Sequence, residues 1–166
     1  MLRPALAFVA FGIILALTVP DLSGRLTALL EPQPKELPAA PGGAARVMLA
    51  AGPNGHFETM VTVNGRQVKA LIDTGASMVA LTYEDGRALG LIRPGDRYDI
   101  KIQTGAGETT ARRVVLNNVR VGGISVHDVE AIVTREGQLP FNLLGMSFLG
   151  KLRGFESRDG RLILEQ

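Results

Sequence analysis

The stretch Ala70-Leu71-Ile72-Asp73-Thr74-Gly75-Ala76-Ser77 places a carboxylate at the end of an apolar strand, followed by a tight Thr-Gly turn. The strand signal is clear, because valines alternate on both sides of an Asn64-Gly65 pair, a pattern typical of a β-hairpin. Burying a charged group is costly unless it is paired, hydrogen-bonded or neutralised. Packing does not explain Asp73, so the sequence makes it a candidate functional residue. The plainer alternative is an Asx-type turn that merely ends the strand.

Short strand-like segments separated by glycine-rich turns continue to the end of the chain. A short helix is expected at 83–89, with Thr82 as its N-cap and Gly90 as its stop, and a helical turn at 146–149. Many short strands with such turns predict an all-β sandwich or barrel-like domain. The expected strands are 57–63, 67–73, 79–82, 98–103, 109–116, 119–121, 124–133 and 161–164.

The N-terminal segment differs in composition. Arg3 precedes an uncharged apolar stretch from Pro4 to Pro20, short for a transmembrane helix and long for the core of a signal peptide. We expect an uncleaved signal anchor over residues 1–22, in preference to a cleaved signal peptide or a buried helix. The positive charge before the stretch predicts a cytoplasmic N-terminus, with the rest of the chain outside.

Four of the nine prolines are concentrated directly after this segment. Such a composition is typical of an extended linker, which we assign to residues 23–45. The folded domain is therefore expected to span residues 46–166. The four prolines are Pro32, Pro34, Pro38 and Pro41.

Composition excludes several classes of function. The 166 residues contain 18 Lys and Arg against 16 Asp and Glu, with no basic stripe interleaved with aromatics, so nucleic-acid binding is not indicated. The absence of cysteine excludes disulfides, thiol catalysis and thiolate metal sites. The two histidines, His56 and His127, lack a second ligand at metal spacing, so no metal and no cofactor are expected. No serine occupies a nucleophile elbow.

The run from Leu71 to Ser77 resembles the active-site signature of retropepsin-type aspartic proteases. The likeness continues in order through 79–82, 88–91 and 119–123 to Leu143-Leu144-Gly145-Met146-Ser147-Phe148-Leu149, as in a bacterial, membrane-anchored branch of that clan. The resemblance covers about residues 47–166. It implies a retropepsin-like acid-protease barrel, one lobe per chain, with one or two short helices after an N-terminal transmembrane helix.

The resemblance also implies roles for the residues of this loop. Asp73 is the catalytic carboxylate, with Thr74, Gly75, Ala76 and Ser77 as its support. Thr74 resembles the buried hydroxyl that bonds across to a partner loop, and Gly75 permits close backbone approach. Ser77 resembles the residue whose hydroxyl supports the outer carboxylate oxygen.

Two further segments complete the implied site. Leu143-Leu144-Gly145 resembles the apolar-apolar-Gly element that buttresses the catalytic loop from behind. The glycine-tipped hairpin at Thr104, Gly105, Ala106 and Gly107 is the natural flap over substrate, an ordinary surface hairpin being the plainer interpretation. The branch usually has an Asn-Gly turn at this tip, which this chain lacks.

The chain contains one Asp-Thr-Gly, which is half of such an active site. A homodimer with a two-fold axis through the two Asp73 residues completes it. The expected function is a membrane-tethered aspartic endopeptidase in a bacterial inner membrane, facing the periplasm and cutting protein or peptide substrates. The alternatives are a non-catalytic dimerisation or peptide-binding module of the same fold, and a structural envelope β-domain.

Overall fold

The computed structural model describes the backbone of Lys35–Glu36, residues 45–104 and residues 107–166. Eleven strands and two short helices make up these parts of the chain. The helices are α1 (Tyr83–Ala88) and α2 (Met146–Leu149). The strands are β1 (Lys35–Glu36), β2 (Arg46–Ala50), β3 (Glu58–Val63), β4 (Arg66–Ile72), β5 (Val79–Leu81), β6 (Ile100–Thr104), β7 (Gly107–Val121), β8 (Ile124–Thr134), β9 (Asn142–Leu144), β10 (Gly154–Arg158) and β11 (Arg161–Glu165). The expected all-β fold with short helices is confirmed.

Six strands close into a barrel. They follow the order β3-β4-β9-β5-β8-β7, and β7 returns to pair with β3 through Thr62 and Arg120. Closure removes the free edges of these strands. Strand β6 lies outside the closed ring and pairs only with the first part of β7.

Local sequence explains how the barrel begins. Asn64 and Gly65 both have positive φ angles, 49° and 87°, as a two-residue hairpin turn of the primed type requires. The predicted β3–β4 hairpin is therefore present, with Val61 opposite Val68. Thr82 is the N-cap of α1, since its hydroxyl accepts a hydrogen bond from the Asp85 N–H at 3.1 Å.

A smaller antiparallel sheet contains β1, β2, β11 and β10 in that order. Buried leucines and a valine from its two central strands join the same core as the barrel, together with Phe148 and Leu149 of α2. The fully buried side chains are mostly branched aliphatics, which suit tightly curved β-structure. The sheet residues in this core are Val47, Leu49, Leu162 and Leu164.

The structure differs from the sequence-based expectation at five strands. The segments expected at 109–116 and 119–121 form one continuous strand of 15 residues, β7. Asn117 and Asn118 do not interrupt β7, because β8 pairs with almost every residue of β7 from Ala111 to Val121. Strands β1, β2, β9 and β10 are not expected from the sequence. Strands β1 and β9 are only two and three residues long, and in β10 Glu156 and Arg158 interrupt the apolar alternation that identifies a strand.

The expected signal anchor over residues 1–22 and most of the linker over 23–45 lie outside the described residues. Within the part of the chain that the structure describes, no helix is long and apolar enough to cross a membrane.

Candidate active site

Asp73 lies directly after β4, where that strand runs parallel to β9. The register pairs Leu71 with Leu143 and Ile72 with Leu144. Beyond the last pair, the Asp73 N–H donates to the Leu144 carbonyl oxygen at 3.2 Å, so the parallel ladder extends one residue into the turn. The sheet therefore fixes the backbone from which the Asp73 side chain projects.

The turn itself holds the carboxylate. The Gly75 N–H donates to Asp73 Oδ1 at 2.8 Å, and the Ala76 N–H donates to the Asp73 carbonyl oxygen at 3.3 Å. Asp73 is half-buried, whereas Thr74 and Gly75 are exposed. A backbone amide on one carboxylate oxygen orients the group and leaves the other oxygen for chemistry.

Gly145 packs against the back of this turn. A β-carbon on Gly145 would overlap the Met78 carbonyl oxygen and come within 2.6 Å of the Ala76 carbonyl oxygen. A hydrogen bond from the Met146 N–H to the Ala76 carbonyl oxygen, at 2.8 Å, joins the same two segments. Only glycine permits this approach. The predicted buttress segment thus contacts the Asp73 turn through its backbone, and Leu144 of the same segment is buried.

Ser147 fastens α2 to the barrel behind the turn. Its hydroxyl accepts from the Val79 N–H at 2.9 Å and donates to the Glu130 carbonyl oxygen at 2.6 Å. One side chain therefore joins α2, β5 and β8. Sequence reasoning did not assign Ser147 a role, although its place two residues after Gly145 is a usable signal.

Asn142, at the start of β9, is the second residue that sequence reasoning missed. Its side chain is 3% exposed and makes three hydrogen bonds. Oδ1 accepts from the Thr82 N–H at 2.9 Å, while Nδ2 donates to the Lys69 carbonyl oxygen at 2.7 Å and to Asp85 Oδ2 at 2.6 Å. This amide ties β9 to β4 and to the start of α1. The signal is a single polar residue at the head of an apolar run.

Two of the residues predicted to support Asp73 make no side-chain hydrogen bond to its carboxylate within the single chain. Thr74 and Ser77 are both exposed, and among the described residues no side-chain hydrogen bond joins either to Asp73. Their assigned roles involve a second loop or the outer carboxylate oxygen and stay predictions.

A groove of about 600 Å³ lies beside the Asp73 turn. The outer faces of β3 and β4, the start of α1 and the segment before β9 line it. Leu71 and Asn142 are in its wall, and the ring of Phe141 is 51% exposed there, but Asp73 is not among the lining residues. The groove therefore reaches Leu71, two residues before Asp73, but does not include the Asp73 carboxylate.

The predicted flap is a regular hairpin of β6 and β7. Ile100 pairs with Ala111, and the ladder continues to Thr104 opposite Gly107. Gly105, Ala106 and the Thr104 side chain lie outside the described residues, so the tip assignment stays a prediction.

Polar contacts fix the base of this hairpin to neighbouring segments. Arg135, just after β8, donates from Nε to Thr110 Oγ1 at 2.9 Å and places its guanidinium 4.7 Å from the centre of the Tyr98 ring. Arg112 on β7 lies 3.4 Å from Asp96. Burial raises the pKa of the Tyr98 phenol, and the Tyr83 phenol adds to the rise.

Metal chemistry finds no support in the described side chains. Across 45–104 and 107–166, no three His, Asp or Glu residues lie close enough together to hold an ion.

Known proteins share the sequence pattern and the fold of this chain. A family model described as gag-polyprotein putative aspartyl protease matches residues 59–151, more than half of the chain. A retropepsin-like aspartic protease from Rickettsia conorii is 30% identical. The match to its crystal structure covers 81% of this chain and 96% of the Rickettsia chain, with a TM-score of 0.67. This chain belongs to the retropepsin-like aspartic protease family.

Two uncharacterised relatives extend the similarity within bacteria. One, from the cobV 5′ region of Sinorhizobium sp., is 38% identical over 140 residues, covering 84% of this chain and 60% of the relative. The other, from Rickettsia prowazekii, is 36% identical over 118 residues, covering 71% and 50%. The chain thus spans half to three-fifths of these relatives. Family membership confirms the retropepsin-like fold and places Asp73 within the matched region.

Proposed function

We propose that this chain is an aspartic endopeptidase that acts as a homodimer, with one Asp73 carboxylate from each copy. The observation that carries the proposal is the position of Asp73. It is half-buried at the end of β4, held by the Gly75 N–H, in a chain of retropepsin-like fold. A structural Asx turn has no need of the close Gly145 packing behind it.

The requirement for a second copy follows from the other carboxylates. Besides Asp73, the described half-buried carboxylates are Asp85, Asp96 and Glu165, and each has partners of its own. Asn142 donates to Asp85, the Arg93 N–H donates to Asp96, and Arg46 is ion-paired with Glu165. Each of these three is thus engaged with other groups, and the sequence has no second Asp-Thr-Gly. A two-fold axis supplies the missing carboxylate.

The chemistry follows from two carboxylates at close range. Groups about 3 Å apart do not both ionise readily, so the pair holds one proton. The ionised carboxylate takes a proton from a water as its oxygen attacks the scissile carbonyl carbon, and the protonated one donates to the carbonyl oxygen. The tetrahedral diol then collapses. A proton passes to the amide nitrogen, the C–N bond breaks, and the dyad returns to its starting state.

The substrate would lie as an extended strand across the dimer and under the two β6–β7 hairpins. Membrane attachment through residues 1–22, with the domain facing the periplasm of a bacterial inner membrane, is part of the same proposal. It is supported by the uncharged stretch from Pro4 to Pro20, by Arg3 before it, and by the proline-rich segment after it.

Peptidase assays on the full chain in detergent test the proposal. Wild type, Asp73→Asn and the control Asp99→Asn, which alters an exposed aspartate, are incubated with a diverse peptide library. Wild type and Asp99→Asn should cleave, with rates rising more steeply than linearly with concentration, and Asp73→Asn should not. Equal rates for Asp73→Asn and wild type would refute the role of Asp73. Absence of cleavage by a demonstrably dimeric wild type would favour a non-catalytic binding module.

A further inference from the structure

The groove beside the Asp73 turn presents apolar side chains to solvent. Three large hydrophobic side chains are exposed in the described part of the chain, and Phe141, in the groove wall, is one of them. Half-buried Met60, Leu71 and Leu139 line the same groove. Contiguous apolar surface that stays open to water commonly marks a binding site.

The groove follows β4 away from the candidate active site. It begins at Leu71, two residues before Asp73, and continues along the strand to Gln67. At about 3.3 Å per residue, Leu71 lies about 7 Å from Asp73, and the groove extends about 13 Å further. An extended peptide in the groove would therefore span about four residues, beginning about two or three residues from a bond cut at Asp73.

Carboxylates outnumber amines along this groove, although the whole chain has a formal net charge of +2. Lys69 is the single base in the lining, and its Nζ lies 3.1 Å from Glu58, so these two charges offset each other. Glu84 is exposed and has no ion-pair partner among the described residues. Asp85 accepts hydrogen bonds through Oδ2, whereas its Oδ1 has none within the described chain. The groove therefore has negative charge without a matching cation.

The aromatic ring and these carboxylates lie at the same end of the groove. Phe141 directly precedes Asn142, and the Asn142 amide donates to Asp85 Oδ2 at 2.6 Å. Asp85 follows Glu84 in the first turn of α1. A guanidinium can bond a carboxylate and stack on an aromatic ring at the same time, which an ammonium does less well. This end of the groove therefore fits arginine better than lysine.

We propose that the groove binds the part of a polypeptide substrate that flanks the cut bond, and that it selects arginine about three to six residues from that bond. This inference rests on the proposed function and names the chemistry of its substrate. Apolar neighbours of the arginine would cover Phe141, Leu71 and Met60 and remove them from water. The two-fold axis of the proposed homodimer would place one groove on each side of the bond, so arginine on either flank would be recognised.

Peptide binding to the full-length Asp73→Asn chain in detergent tests the groove without requiring cleavage. The probes are three fluorescein-labelled peptides of alanine, leucine and serine that differ at one central position, which is arginine, glutamine or glutamate. By fluorescence anisotropy, the arginine peptide should bind about fivefold more tightly than the glutamine peptide, as expected for a well-placed exposed ion pair, and the glutamate peptide should bind most weakly. The differences should shrink as salt rises to about 0.5 M. Equal affinities for the three peptides would overturn the proposal.

Charge reversal in the groove supplies a matched comparison in the same Asp73→Asn background. Glu84→Lys should remove the preference for arginine and favour the glutamate peptide, a reversal that a structural role of Glu84 would not produce. Glu136→Lys makes the same change at an exposed position outside the groove and should leave the ranking of the peptides unaltered. An unchanged ranking in Glu84→Lys, or the same reversal in Glu136→Lys, would contradict the assignment.

Cleavage by the wild-type chain separates this inference from the proposed function. A wild type that cuts a peptide library without enriching arginine on either flank of the bond would refute the groove and leave the protease proposal intact. Arginine-selective binding without cleavage by a dimeric wild type would refute the protease and leave the groove as a peptide-binding site.

Discussion

Gly145 and Ala76 are so close that a β-carbon on Gly145 would come within 2.6 Å of the Ala76 carbonyl oxygen. This contact fixes how closely the Asp73 turn packs against the segment that joins β9 to α2. Ser147 hydrogen-bonds α2 to β5 and β8, and Asn142 hydrogen-bonds the start of β9 to β4 and to the start of α1. Residues that hold the turn can therefore be distinguished experimentally from residues that act in it.

Replacement of Gly145 by alanine should destabilise the fold by about 1–3 kcal/mol, as overpacking does, because the backbone at Ala76 and Met78 must move away. Peptidase activity should fall further than stability, since the Met146 N–H to Ala76 bond would lengthen. Urea unfolding and peptide cleavage measure the two effects. Gly154→Ala is the control, because nothing lies within 4 Å of a β-carbon there. Equal effects of the two changes would show that the close approach is unimportant.

Asn142→Ala should lower the free energy of unfolding by about 2–4 kcal/mol. The change removes the acceptor of the buried Thr82 N–H and a donor to Asp85 Oδ2, and a buried polar group left unsatisfied costs about 1–3 kcal/mol. Asn117→Ala, at an exposed position of β7, should change stability by less than about 0.5 kcal/mol. A neutral Asn142→Ala would mean that water replaces all three bonds.

The two serines near the site should separate stability from activity. Ser147→Ala removes two hydrogen bonds behind the turn and should cost about 1–3 kcal/mol of stability. Ser77→Ala, at an exposed position, should leave stability nearly unchanged and lower kcat if its hydroxyl supports the outer carboxylate oxygen in the dimer. Thermal unfolding and steady-state kinetics of both variants give the comparison. An unaltered kcat in Ser77→Ala would show that the Ser77 hydroxyl does not support the catalytic carboxylate.

Tyr98 should make stability depend on pH in the alkaline range. Burial raises the pKa of its phenol in the folded chain above the ordinary value of about 10, so between the two values the folded state holds a proton that the unfolded state has lost. This contribution is complete below about pH 10 and is lost as the pH rises through the folded pKa. Urea unfolding across pH 8.5 to 11 should show a steeper fall for wild type than for Tyr98→Phe. Parallel curves would contradict the assignment.

Much of the fold was predictable from local sequence. The Asn64-Gly65 turn, the Thr82 cap and the apolar alternation around them act over a few residues, so a linear pattern reveals them. Strand β2 is hard to predict because its partner β11 lies more than 100 residues further along the chain, and β10 because Glu156 and Arg158 interrupt its apolar pattern. The long β7 was divided at Asn117 and Asn118, where pairing with β8 overrides weak strand propensity.

The candidate site was predictable in part for a similar reason. Asp73 and Gly145 lie in a motif that a resemblance identifies, and both lie where β4 and β9 run side by side. Asn142 and Ser147 act through contacts across 60 or more residues, to Thr82 and Val79, which no local pattern encodes. The second carboxylate of the proposed dimer would come from another copy, and no pattern within one chain encodes how two copies meet.

Strand β7 runs without a break from the β6–β7 hairpin into the barrel wall. From Gly107 to Thr110 its pairing partner is β6, which lies outside the closed ring, whereas from Ala111 onward it pairs with β8. Amide protons along this one strand should therefore exchange with solvent in two steps, rapidly before Ala111 and slowly after it. The boundary between the two rates would mark the residue at which β7 enters the closed ring.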